Sequence, residues 1–187
     1  MPDDNPTLEL MQHQRAVRRF APGDVDDATV ARLIDAATRA PSSRNSQPWR
    51  FIAVRDREIK DQLGNIFDEL GVSLLGYDPS PDDLRTPWRD VPVLIVVCTE
   101  AGDDDGSSIY PAVQNLLLAV QAVGLGGLIT TRWKHREAEV RGILGLPDDA
   151  GIHAIVPVGP VEKAPGRNRR RPVAEVSFRD RWGQSWE

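Results

Sequence analysis

From residue 25 to 40 the chain reads VDDATVARLIDAATRA, and its apolar side chains recur at helical intervals. Val30, Leu33, Ile34 and Ala37 fall at i, i+3, i+4 and i+7, which is one buried face of a helix. Asp26 is placed to cap it, Val25 and Val30 occupy the two positions of a hydrophobic staple, and Pro41 stops it. A similar period predicts amphipathic helices in DREIKDQLGNIFDELG, from about Asp56, and in REAEVRGILGL, with a short helix over 7–17 ending near RAVRRF. Two stretches lack a polar face. VPVLIVVCT (91–99) shows no alternation and predicts a strand buried on both sides. IYPAVQNLLLAVQAV (109–123) is apolar nearly all round and predicts a helix covered on more than one side, ended by Gly124, Gly126 and Gly127. WRFIAVR (49–55) and IHAIVPVGP (152–160) read as strands. GYDPSPDDLRTPWRD (76–90) holds three prolines and no period, as a loop or lid does, and EAGDDDGSS (100–108) is an acidic loop. The tail is basic, then aromatic, and too polar to pack as a helix. With no repeat and no interior linker, residues 1–187 form a single domain of α/β or α+β class, one sheet between helices, with a lid at 76–90 and an arm at 165–187.

Composition narrows the function. The 187 residues are 40% hydrophobic and 27% charged, as in a globular chain with a real core. A net charge of -5 argues against nucleic acid and anionic membranes as partners. No apolar run reaches bilayer length, and MPDDNPTLEL lacks the regions of a secretory signal, so the expected location is cytoplasmic. The single cysteine, Cys98, lies in the buried-strand pattern and excludes an intrachain disulfide framework or a cysteine-ligated zinc site. His13, His135 and His153 are not spaced as metal ligands on one helical face, so no metal is expected.

Three groups of residues could carry chemistry. Arg15, Arg18 and Arg19 in RAVRRF make, taken alone, a solvated basic surface. RAPSSRNSQPWRF (39–51) carries more donors and acceptors than a helix-to-strand turn needs, in Ser42, Ser43, Asn45 and Gln47. GRNRRRP (166–172) reads alone as a basic tail, but the Val173, Val176, Phe178 and Trp182 that follow argue for docking. Together the three sets suit an anionic, planar, hydrogen-bonding ligand. Guanidinium forks would take a phosphate, and amides and hydroxyls the edges of a heteroaromatic ring. The glycines of GLGGLITT would let backbone N–H groups approach it.

These stretches, in this order, resemble the FMN-dependent nitroreductase family over almost the whole chain: RAVRRF, APSSRNSQPWRF, YPAVQNLLLAVQAVGLGGLITT, GILGLPDDAGIHAIVPVGP and RRRP. The most specific is PSSxNxQPW. The resemblance implies an α+β, three-layer fold with a central mixed, mainly antiparallel sheet flanked by helices, an extended C-terminal arm, and a homodimer with FMN between subunits. It implies that Arg15, Ala16 and Arg18 line the phosphate and pyrimidine side of the flavin. Pro41, Ser42, Ser43, Asn45 and Gln47 would come from the partner, Ile129, Thr130 and Thr131 would lie against the ring, and Arg169 and Arg170 would clamp the phosphate. The 109–123 helix would build the dimer interface. Chemistry would rest on flavin N5, in ping-pong two-electron transfer from NADH or NADPH to a quinone, nitroaromatic or similar acceptor, with no catalytic side chain beyond Arg18 as a charge stabiliser. Arg44 would meet an anionic acceptor or the NADPH phosphate. Where the family pattern has an arginine and a small hydroxyl residue, this chain has Gln14 and Ala16, which implies either weaker FMN binding or a larger share of the phosphate for the tail arginines. A flavin-binding protein with a storage or sensing role, and a flavin-dependent dehydrogenase or dehalogenase, remain open alternatives.

Overall fold

The computed structural model describes residues 5–75, 84–100 and 106–186. Its elements, in chain order, are α1 (Pro6–His13), α2 (Asp27–Thr38), β1 (Trp49–Val54), α3 (Arg57–Leu75), β2 (Val93–Thr99), α4 (Ile109–Ala122), β3 (Leu125–Gly127), α5 (Glu137–Leu144) and β4 (Gly151–Pro160). Capping signals act where expected. The Thr29 N–H donates to Asp26 at 2.7 Å, and Asp56 accepts from the amides of Glu58 and Ile59 at the start of α3. Val25 and Val30 are both buried, as the staple requires.

The four strands stand in the order β1-β2-β4-β3, and every pairing among the described strands is antiparallel. All seven residues of β2 are buried. Their alternation divides two cores: Val93, Ile95 and Val97 pack with α2 and α4, whereas Leu94, Val96 and Cys98 pack with α3 and α5. The result is helices, sheet, helices, as the α+β reading expects. Burial pushes the Cys98 thiol up to about 12, so the thiol is an inert core group. Between Val97 and Cys98 the register shifts, since Val97 faces Ala154 and Cys98 faces Ile152, leaving His153 as the extra residue. Its buried Nε2 lies 3.2 Å from Thr99 Oγ1, a structural role for this histidine.

The expected helix over 7–17 is shorter than its pattern. Gln14 turns extended (φ -66°, ψ 116°), and Asn168 takes the carbonyls that another helical turn would use. Its backbone N–H donates to Gln12 O at 2.7 Å and its amide to Met11 O and Gln14 O. Of the 76–90 loop, residues 76–83 lie outside the described residues, as do 101–105 of the acidic loop. The rest of the first loop is stitched down: the Phe20 N–H donates to Thr86 Oγ1 at 2.9 Å, and the Arg85 N–H to Arg18 O at 2.7 Å. The 165–186 segment holds a single 3-10 turn, Val173–Glu175, and leaves Val173 72% and Trp182 91% exposed. Among the described residues, no helix is long and apolar enough to cross a membrane.

Candidate functional site

At the C-terminal end of α4, segments far apart in sequence converge. Gln121 donates from its side chain to Leu10 O at 3.0 Å, and the Val17 N–H donates to Gly127 O at 3.1 Å. Arg15, Arg18 and Arg19 therefore lie beyond α1, along the outer edge of the sheet. The glycines here serve packing. A Cβ on Gly126 would lie 2.5 Å from Val161 and 2.7 Å from Val17, and one on Gly127 would lie 3.0 Å from Pro157 O. The room expected around them for a ligand is filled by the protein itself. Only Gly124, at φ +78°, answers a demand of the turn.

These segments enclose a groove of about 640 Å³ lined by Arg15, Ala16, Val17, Arg18, Arg19, Arg85, Glu162, Lys163 and Pro165. Among the described lining residues five cations face one carboxylate, so the groove attracts anions although the chain as a whole is acidic. Asn168 holds the tail to α1 beside it, helped by a hydrogen bond from Arg167 to the Gln12 side chain. The exposed Arg169 and Arg170 follow directly, and Arg170 donates to the Arg169 carbonyl at 3.0 Å. Arg85, Lys163 and Asn168 escape a linear reading. Arg85 stands in an aperiodic loop, Lys163 is a lone charge, and Asn168 hides in a basic run.

The second set sits at the other end of α4. The Ser43 N–H donates 3.1 Å to the hydroxyl of buried Ser108, which immediately precedes the helix. The Gln47 N–H donates to Ser42 Oγ at 3.1 Å. Arg44, Asn45 and Gln47 hold φ values of 52°, 57° and 49°, a left-handed conformation that is unfavourable for arginine and glutamine. Buried Pro48 and Trp49 anchor the loop, while Pro41 and Ser43 through Gln47 remain exposed. Non-glycine residues at positive φ cluster at functional sites across proteins. Nearby, Lys134 donates to the Tyr110 hydroxyl at 3.0 Å.

Between the two ends runs Leu128–Thr131. Thr130 is committed to the fold: its N–H and its hydroxyl both donate to Ile155 O, and its carbonyl accepts from Trp133 Nε1. Ile129 and Thr131, on either side, are exposed. Among the described residues no histidine, cysteine and carboxylate cluster could hold a metal. The fourteen residues of α4 span roughly 21 Å. The chain thus unites Arg15, Ala16 and Arg18 with Arg85 in one groove, and keeps the Ser42, Ser43 and Asn45 loop at the opposite end of α4.

The model of the nitroreductase family matches residues 11–160. The chain belongs to the nitroreductase family. This nitroreductase-family chain is 28% identical to the NADH dehydrogenase of Thermus thermophilus, over 87% of its own length and 90% of that protein's. Among solved structures it is similar to an oxidized iodotyrosine deiodinase bound to FMN and 3-iodo-L-tyrosine, at 26% identity and a TM-score of 0.76, covering 89% of this chain and 95% of that one. A Desulfovibrio desulfuricans protein described as a nitroreductase, in complex with FMN, gives 26% identity and a TM-score of 0.75, covering 96% and 99%. The α+β fold expected of the family is the fold observed.

Proposed function

We propose that this nitroreductase-family protein is an FMN-dependent homodimeric oxidoreductase that takes electrons from NADH or NADPH and delivers two-electron equivalents to a quinone, nitroaromatic or similar acceptor. The observation that carries this reading is the separation of the two motif sets by the length of α4. Each set is half of a flavin site, and a second copy placed across α4 brings the halves together. The donor chemistry fits the cofactor: guanidinium groups for a phosphomonoester at one end, and neutral hydroxyls and amides for a flavin ring at the other. Bound there, FMN supplies hydride chemistry at its N5.

The chain's own residues then bind, orient and shield. Arg15, Arg169 and Arg170 hold the phosphate, and Asn168 fixes the tail that carries two of them. This anchoring offsets Gln14, whose carbonyl is among those Asn168 takes. Half-buried Arg18 stands at the pyrimidine side and stabilises negative charge there. Ser42, Ser43 and Asn45 of the second copy, backed by Gln47 and Pro41, bond the ring edges. Ile129 and Thr131 cover one face of the ring, held in place by Thr130, and Arg44 is left to meet an anionic substrate. Exposed apolar side chains support the dimer. α1 buries none of its residues and presents Leu8 and Met11, and the arm presents Val173, Val176 and Trp182. A reductive dehalogenation reading draws on the likeness to the iodotyrosine-bound structure and differs only in the acceptor.

Purified protein should be yellow, release FMN on heating, run as a dimer in light scattering, bleach with NADH or NADPH, and recover its colour with a quinone. Recovery with a halotyrosine instead would select dehalogenation. A colourless monomer that ignores added FMN would overturn the proposal.

A further inference from the structure

The groove carries more positive charge, over a greater length, than one flavin phosphate uses. We propose that Arg19, Arg85 and Lys163 form a second phosphate subsite, which takes the 2′-phosphate of NADPH and makes NADPH the preferred donor. The inference rests on the FMN reading above and adds the identity of the donor to it.

The charge balance comes first. A phosphomonoester carries about two negative charges near neutrality. With Arg15 and the tail arginines assigned to that charge, Arg19, Arg85 and Lys163 remain in the groove, where Glu162 is the one carboxylate among the described lining residues. Arginines elsewhere on this surface, such as Arg39, Arg57 and Arg136, sit against carboxylates. Among the described residues, Arg19, Arg85 and Lys163 have no such partner. Cations gathered in one concavity of an acidic protein raise the local concentration of anions there.

Position comes second. Arg15 also lines a crevice with Leu117, Gln121 and Gly126, on the α4 side. Arg85 also lines a cavity of about 300 Å³ with Asp61, Asp68 and Trp88, on the α3 side, whose two carboxylates lie outside the groove lining. The two arginines therefore mark opposite ends of the groove. The distal end is also held firmly. The Arg85 amide is bonded to Arg18 O, and Thr86 accepts from the Phe20 N–H, so the guanidinium projects from a fixed backbone. Glu162 weakens the subsite without cancelling it and disfavours ligands that lack a full phosphate.

The test is calorimetric titration of the flavin-loaded protein with NADP⁺, NAD⁺, 2′,5′-ADP and 5′-AMP, on the wild type and on Arg85→Ala, Arg19→Ala and Lys163→Ala. Arg39→Ala, a distant surface change, serves as control. The wild type should bind NADP⁺ at least about tenfold more tightly than NAD⁺, and 2′,5′-ADP more tightly than 5′-AMP, as one charge-assisted contact allows. Arg85→Ala should remove most of that difference, leaving NAD⁺ affinity within about twofold and flavin content unchanged. Equal wild-type affinities overturn the proposal, and so does an equal loss for both dinucleotides, which would mark a pyrophosphate contact. Loss of flavin in Arg85→Ala also overturns it, by assigning Arg85 to the FMN clamp. If no preparation takes up flavin, the FMN reading fails by itself, and the Arg85-dependent difference between 2′,5′-ADP and 5′-AMP still decides the subsite.

Discussion

The two ends of α4 solve different problems with different means. At its C-terminal end the chain gathers charge. Arg15, Arg18, Arg19, Arg85 and Lys163 come from three segments and surround a groove. At its N-terminal end it holds a neutral loop in an unfavourable shape, with three non-glycine residues at positive φ and the Ser43 amide fastened to Ser108. The first end costs little conformational energy, because Arg15, Arg19, Arg85 and Lys163 are exposed, keep their hydration and merely share a field. The second stores strain and must be held by buried anchors, Pro48, Trp49 and Ser108. On the proposed reading, recognition of a phosphate tolerates a loose assembly of long side chains, whereas recognition of ring edges needs short side chains on a fixed backbone.

The helix joining the ends offers the strongest test. Leu116 is wholly buried between α2 and the sheet, and Leu116→Ala should cost about 2–5 kcal/mol in urea denaturation and weaken both ends together. If flavin retention survives that change at full stability cost, the ends do not depend on α4 for their spacing. Next, Arg15→Ala should lower FMN affinity about 10- to 100-fold in fluorescence titration, with the unfolding midpoint nearly unmoved, because Arg15 is exposed. A fall in stability instead would make Arg15 a structural residue.

The sheet beneath α4 should respond to pH. The Cys98 thiol is raised to about 12 in the folded protein, above its unfolded value of about 8.5. The folded state therefore keeps a proton that the unfolded state loses, and stability declines as pH rises through that window, by ~1.4 kcal/mol per unit. Cys98→Val should remove this slope between pH 8.5 and 10. An identical slope in both proteins would show that the strand between the ends is not sealed. The smallest effect is expected from Ser108→Ala, which strands the Ser43 N–H at a cost of about 1 kcal/mol and loosens the 42–47 loop. Hydrogen exchange should quicken at Ser43 and leave Val17, at the opposite end, unchanged.

Much of this was legible in the linear pattern. The α2 cap and staple, both unalternated buried elements and the strands β1, β2 and β4 follow from side-chain period and short-range chemistry, whereas β3 lies in a glycine-rich stretch that shows no strand period. Asn168 and Arg85 were not legible, because their contacts are to residues 11–14 and 18, across most of the chain or a long loop. The true end of α1 was hidden for the same reason, since a tail asparagine decides it.

By itself the sequence determined most helix and strand segments, which faces are apolar, and which short motifs carry the family resemblance. Those properties depend on neighbours within one or two turns. Only the tertiary structure decided that Arg85 joins Arg15 and Arg18, that Gly126 is small to admit Val17 and Val161, and that the serine loop stands a helix length from the arginines. These outcomes depend on the β1-β2-β4-β3 strand order and on which helix faces meet once it forms. Long-range packing selects among many locally equivalent partners, and no local period encodes that choice.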